Sequence, residues 1–89
     1  MDKVSVIIPA YNSEHIISDC LTSVIRQTYS NIEIIVVDDG SSDRTGDIAD
    51  EYASTDKRII VVHRRNGGVS SARNIGLSLA TGTWVTFVL

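Results

Sequence analysis

Apolar residues in this chain follow two rhythms. Four short runs are apolar almost throughout, and three stretches between them bring an apolar residue back every three or four positions. The first run, Lys3 to Ile8 (KVSVII), is stopped by Pro9 and reads as a buried strand. Ser13 then offers a helix N-cap, and Glu14 adds a negative charge to the first turn. Ile17, Cys20, Leu21, Val24 and Ile25 share one face of a helix that should end near Gln27. Ile32 to Val37 (IEIIVV) is a second strand, and Asp38 to Asp43 is a polar turn cluster. A second helix is expected from about Arg44 to Ala53, with Asp43 as its cap and Ile48, Ala49 and Tyr52 on one side. Arg58 to His63 makes a third strand and Arg64 to Gly68 a loop. The third helix should run from about Val69 to Ala80, with Ala72, Ile75, Gly76 and Leu79 on one stripe and Gly82 at or just beyond its C-cap. Trp84 to Val88 closes the pattern as a fourth strand.

Strands that are apolar throughout are covered on both faces, which calls for a parallel sheet with crossover helices. The expected fold is therefore α/β: a doubly wound, Rossmann-like three-layer sandwich of four mainly parallel strands in the order 3-2-1-4, with three helices. Ligands in such sheets sit at the carboxyl ends of the strands. That directs attention to Pro9–Asn12, Asp38–Asp43, His63–Gly68 and the end of the fourth strand.

Composition narrows the partners. A chain of 89 residues is one domain at most. Its 43% hydrophobic and 21% charged content fits a globular protein, not a disordered one. Eight basic against eleven acidic residues give a net charge of −3, which disfavours nucleic acid as a partner. The single cysteine, Cys20, lies in a helical apolar pattern and reads as a buried thiol in a reducing compartment. No run approaches a membrane span, and no signal leader is evident. The expected location is cytoplasmic, with the inner face of the membrane as the alternative for a longer parent.

Several motifs are absent. Pro9-Ala10-Tyr11-Asn12 stands where a dinucleotide-binding G-x-G-x-x-G would follow the first strand, and there is neither a P-loop nor a G-x-S-x-G elbow. His15 and His63 lack neighbours at metal-ligand spacing and read as surface or strand-end residues. Asp38-Asp39-Gly40-Ser41-Ser42 by itself fits a loop with Asx-turn chemistry. It also fits a phosphoacceptor pair, although such pairs normally follow the first strand and are joined by a late lysine, and the only lysines here are Lys3 and Lys57. Arg73 follows Ala72, a core-stripe position, so its guanidinium is expected near the strand-end crevice. Together these residues suit a nucleobase. Asp39 can accept the N3–H of uracil, Arg73 can donate to a neighbouring carbonyl, and Tyr11 can stack on the ring. Cytosine carries an acceptor at N3 and would be repelled.

Four motifs in order carry a resemblance. They are Val4–Asn12 (VSVIIPAYN), Ser23–Tyr29 (SVIRQTY), Glu33–Asp43 (EIIVVDDGSSD) and Asn66–Gly76 (NGGVSSARNIG), the last followed by Ala80-Thr81-Gly82. The chain resembles, over essentially its whole length, the N-terminal part of the family-2 inverting glycosyltransferases, which have the GT-A fold. The resemblance implies a nucleotide-sugar donor, most often a UDP-sugar and sometimes a dTDP- or GDP-sugar, and a glycan acceptor in polysaccharide synthesis. It implies that Tyr11 packs on the base, Asp39 bonds its N3–H, Arg73 reaches the base or its neighbours, and Pro9 and Ala10 present backbone to the nucleoside. Asp38 goes with Asp39 to the base-binding end. The family continues its fourth strand into an Asp-x-Asp motif that binds the ribose and a Mg²⁺ or Mn²⁺ ion; Leu89 stands where its first aspartate is expected. Residues 1–89 are thus expected to be the nucleotide-binding half of a longer enzyme, without catalytic residue, bound metal or transfer activity of their own. The alternative is a non-catalytic Rossmann-like or receiver-like binding module. The fourth strand, at the edge of the sheet, is expected to invite pairing with a second copy.

Overall fold

A computed structural model describes residues 2–27 and 29–88. Met1, Thr28 of the second motif and Leu89, the expected site of the metal-motif aspartate, lie outside the described residues. The elements alternate as β1 (Val4–Ala10), α1 (Ile17–Ile25), β2 (Ile32–Asp39), α2 (Thr45–Thr55), β3 (Ile59–Arg64), α3 (Val69–Leu79) and β4 (Trp84–Phe87). The four strands form one sheet in the order β3-β2-β1-β4. All three pairings are parallel, as the run of apolar strands required.

The two central strands outrun their sequence-based limits. β1 continues through Pro9 to Ala10, which pairs with Asp38. Odd-numbered residues of β1 turn their backbone toward β4, since the carbonyls of Lys3 and Ile7 accept from Thr83 and Val88. Pro9 is odd-numbered, so its missing N–H falls at the end of that short ladder and the β1–β2 pairing is untouched.

The first helix starts later than Ser13 suggested. The Ser13 carbonyl accepts the N–H groups of Ile16 and Ile17, which makes a turn ahead of α1. Its hydroxyl donates to the Tyr11 carbonyl at 3.0 Å instead of capping, and its N–H goes to Thr45 Oγ1 at 2.7 Å. Asp43 does serve α2: Oδ1 accepts the Thr45 N–H at 2.9 Å, while Oδ2 takes the Glu14 N–H at 3.1 Å. One carboxylate therefore fastens the loop after β1 to the start of α2.

Side chains alternate between the two faces of each strand. Val6, Ile8, Ala10, Ile34 and Val36 meet Ile17, Leu21 and Val24 of α1 and Ala49 of α2. On the opposite face Ile35 and Val37 meet Ala72 of α3. All eight residues of β2 are buried, whereas all four of β4 are exposed. A single helix, α3, lies across β1 and β2 on its face. Ile60 of β3 and Val85 and Phe87 of β4, which share that face by register, stay exposed on either side of it.

At the amino ends of the strands a buried carboxylate holds the α3–β4 connection. Glu33 accepts the Ser5 hydroxyl at 2.5 Å, the Thr81 N–H at 2.6 Å and the Thr81 hydroxyl at 3.0 Å. Gly82, just past the helix end, donates its N–H to Ser5 Oγ at 2.9 Å.

Candidate functional site

The carboxyl ends of β1 and β2 open into a cleft of about 180 Å³ lined by Pro9, Ala10, Tyr11, Asp39, Asn66, Gly68, Val69 and Ala72. Pockets that enclose a drug-sized ligand usually exceed ~300 Å³, so this cleft is on the scale of one planar ring. One wall comes from the end of β1, the other from the β3–α3 loop and the first turn of α3. Tyr11 is half exposed at the rim, where a ring could lie against it.

Asp39 sits between the walls and is 4% exposed. Its Oδ1 accepts the Gly67 N–H at 2.9 Å and its Oδ2 accepts the Gly68 N–H at 3.0 Å. Arg64 Nε stands 3.3 Å from Oδ1. Gly68 takes φ +95°, a left-handed backbone open to glycine at little cost, and this turns successive N–H groups toward the carboxylate. A buried carboxylate held by two N–H donors beside a cation is fixed in its orientation.

Asp38 faces the other way, as neighbouring strand residues must. It is 6% exposed and outside the cleft lining. Its Oδ1 accepts the Ser41 N–H at 3.1 Å, and its Oδ2 is 2.9 Å from His63 Nδ1. The other ring nitrogen of His63 lies 2.9 Å from Asp50 on α2. The hydrogen bonds to Asp38 and Asp50 raise the His63 pKa above its ordinary value. Asp38 lies outside the cleft and is paired with His63 while Asp39 lines it, so the two carboxylates do not face one ligand together as a phosphoacceptor pair would.

The loops after β1 and β2 are stitched together. Asn12 donates its N–H to Ser41 Oγ at 3.0 Å and accepts the Ser42 N–H on its side chain at 2.8 Å. Arg73 stands apart on the exposed side of α3, with its guanidinium carbon 5.7 Å from the Phe87 ring centre, within cation–π range. It does not line the cleft.

The family model described as Glycosyl transferase family 2 matches residues 5–88. This chain belongs to that family. It is 55% identical over 85 residues to the uncharacterised glycosyltransferase EpsJ of Bacillus subtilis, covering 96% of this chain and 25% of EpsJ. The structure of S. aureus TarS 1-349 in complex with UDP-GlcNAc superposes with a TM-score of 0.88 at 39% identity, over 97% of this chain and 26% of that one. The mannosyltransferase PcManGT from Pyrobaculum calidifontis, in complex with GDP-Man and Mn²⁺, gives a TM-score of 0.87 at 31% identity, over 94% of this chain and 26% of that one. The chain spans about a quarter of the length of these proteins. Its α/β fold is that of the GT-A glycosyltransferases.

Within this family-2 chain Asp38 and Asp39 do not fit a Mg²⁺ or Mn²⁺ site, because their oxygens already accept N–H donors or pair with His63 and Arg64. Among the described residues no three histidine, cysteine or carboxylate side chains converge on a point that could hold a metal. Of the six residues expected at the nucleotide, Pro9, Ala10, Tyr11 and Asp39 meet in the cleft. The far wall is Asn66, Gly68, Val69 and Ala72; the sequence placed Ala72 on the core stripe of the third helix and Asn66 and Gly68 in a strand-end loop, without a contact to the nucleotide for any of the four. Arg64 was likewise passed over. Its position two residues before Asn66 gives no sign that it folds back beneath the loop.

Proposed function

We propose that this chain is the nucleotide-binding half of an inverting glycosyltransferase that uses a UDP-sugar donor and a glycan hydroxyl as acceptor in polysaccharide synthesis. The observation that carries the reading is a buried carboxylate acceptor, Asp39, at the back of a ring-sized cleft beside Tyr11. Uracil and thymine present an N–H donor at N3 to such a group, whereas cytosine presents a lone pair. Pro9 and Ala10 supply the backbone floor against the nucleoside. Arg73, next to Ala72 of the wall, is proposed to swing from Phe87 toward the base or the diphosphate when donor binds. Asp38 is proposed to contribute at one remove, by holding the loop that begins at Gly40.

The chemistry of transfer is assigned to the portion of the relatives that this chain does not span. That portion would supply the divalent metal, Mg²⁺ or Mn²⁺, and the carboxylate that takes the proton of the acceptor hydroxyl. Residues 1–89 by themselves are proposed to bind donor without transferring sugar. Cytoplasm is the proposed compartment, supported by an unpaired Cys20 whose thiol pKa is raised by burial. Among the described residues no helix is long and apolar enough to cross a membrane.

Isothermal titration with UDP, CDP and ADP tests the base reading. UDP is expected to bind best, and Asp39→Asn should reduce its advantage over CDP by roughly 10- to 100-fold, the worth of a charged hydrogen bond. Equal UDP and CDP affinities, indifferent to that substitution, would remove Asp39 from base recognition.

A further inference from the structure

Three successive N–H groups after β1 donate to side chains of the segment that follows β2. Asn12 donates to Ser41 Oγ at 3.0 Å, Ser13 to Thr45 Oγ1 at 2.7 Å and Glu14 to Asp43 Oδ2 at 3.1 Å. The first of these lies beside the cleft. Asn12 takes φ +48°, a left-handed backbone that costs most residues energy and that asparagine tolerates. Its side chain returns the contact, since Oδ1 accepts the Ser42 N–H at 2.8 Å and the Ser42 hydroxyl at 3.3 Å. Ser42 is 30 positions away, so that oxygen is not spent on a local Asx turn. The peptide joining Tyr11 to Asn12 is held at both ends: its N–H goes to Ser41, and its carbonyl accepts the Ser13 hydroxyl at 3.0 Å. Ser41 in turn donates its own N–H to Asp38. On its other side the same segment leans on the far wall of the cleft, where a Cβ on Gly40 would come within 2.6 Å of the Asn66 nitrogen.

We propose that Asn12 is a positioning residue for the donor base, which fixes Tyr11 at the cleft rim at a set distance from the far wall. The inference rests on the base-binding reading above. Tyr11 is 52% exposed, so packing does little to hold its ring, and the backbone that carries it sets its direction. That backbone is tied through Asn12 to Ser41 and Ser42, and the Gly40–Ser42 segment rests on Asn66 of the opposite wall. Position 12 therefore has two requirements, a left-handed φ and an acceptor on a short side chain. Alanine meets neither, and glycine meets only the first. Without the acceptor the rim is less ordered before the base arrives. The base must then immobilise Tyr11 as it binds, and that ordering cost is lost affinity. Asn12 lies outside the cleft lining, so it acts through Tyr11 without touching the ligand.

The test is a double-mutant cycle on the full chain, with dissociation constants for UDP and CDP from isothermal titration and thermal unfolding alongside. The proteins are the parent, Asn12→Gly, Tyr11→Ala, the double variant Asn12→Gly/Tyr11→Ala, and Asp39→Asn. Tyr11→Ala should weaken UDP binding by about tenfold, within the range of base–aromatic stacking. Asn12→Gly keeps the left-handed backbone and loses only the side-chain contacts. It should weaken UDP binding by roughly fivefold, the scale of a neutral hydrogen bond. Once Tyr11 is alanine, the same glycine substitution should change UDP affinity by less than about twofold. A purely structural role would show an equal loss with and without the Tyr11 ring, and that result overturns the inference. So does an Asn12→Gly protein with the parent affinity. If Asn12→Gly does not fold, Ser41→Ala takes its place in the cycle: it removes the acceptor of the Asn12 N–H and leaves residue 12 unchanged, and the same outcomes decide. If the parent does not prefer UDP to CDP, or Asp39→Asn leaves that preference unchanged, the base reading itself fails. A preference that depends on Asp39 while Tyr11→Ala leaves UDP affinity unchanged defeats the role of Asn12 alone.

Discussion

His63 joins two carboxylates, with Nδ1 2.9 Å from Asp38 and Nε2 2.9 Å from Asp50. Only the protonated ring can donate from both nitrogens, so the pair raises its pKa above the ordinary 6.5. A folded-state pKa above the unfolded one contributes stability that is complete below about pH 6.5 and fades as pH rises through the raised value. The ring is half exposed, so solvent screens the effect and keeps it modest. His63→Gln should therefore cost thermal stability at pH 6 and progressively less toward pH 9, read as the difference in Tm from the parent across that range. A difference that does not vary with pH would mean the ring acts only by packing. Sequence reading took His63 as a strand-end residue, and so it is. Its partners are 25 positions upstream and 13 positions upstream, a separation no local pattern reveals. The opposite orientations of Asp38 and Asp39 were legible in principle, since adjacent strand residues face opposite ways. That Asp39 spends two N–H contacts on Gly67 and Gly68 was not, because the loop that supplies them is brought there by the fold.

At the scale of elements, the hydrophobic rhythm set strand and helix identity and order, and the boundaries moved where side chains chose other partners. α1 begins at Ile17 because the Ser13 hydroxyl turns to the Tyr11 carbonyl. β1 runs on past Pro9 because the lost N–H falls toward the short edge strand. Glu33 shows a further limit: nothing in the sequence assigns it a partner, yet it is 9% exposed and holds the connection between α3 and β4. Desolvation pushes its pKa up, but hydrogen bonds from Ser5 and Thr81 with the charge of Lys3 outweigh that and leave it below 4.5. Its contribution is accordingly present above the unfolded pKa and lost as pH falls through the lower folded one. Glu33→Ala orphans the Thr81 N–H and both hydroxyls, at a cost of about 2–3 kcal/mol. For a domain this small the Tm should drop by roughly 10–20 °C, followed by circular dichroism. A drop of a degree or two would show that water replaces the carboxylate freely.

For the molecule as a whole, the open edge matters most. Trp84, Val85 and Phe87 are all exposed on β4, the last strand of a sheet whose order sequence reading anticipated. No charged side chain lies within Trp84–Phe87 to discourage a neighbouring strand. Residues 1–89 alone are expected to self-associate through this edge as concentration rises, and Val85→Lys should suppress it. Light scattering over a concentration series decides: strictly monomeric behaviour in both proteins would mean the edge is shielded by its own twist or side chains. The two faces of the sheet are also unequal. Among the described residues eleven buried apolar side chains gather on the α1–α2 side, against Ile7, Ile35, Val37 and Ala72 on the α3 side. The thin side is the one that carries Val69 and Ala72 of the far cleft wall, while Pro9 and Ala10 belong to β1, a strand that also anchors the thick one. On the proposed function a nucleotide seated between them would touch both, so part of its binding free energy would go into holding the thin layer down. Donor affinity and the cohesion of the third helix would then be one quantity measured from two ends, and a change that loosens α3 would register as weaker binding even at a site whose every contact is intact.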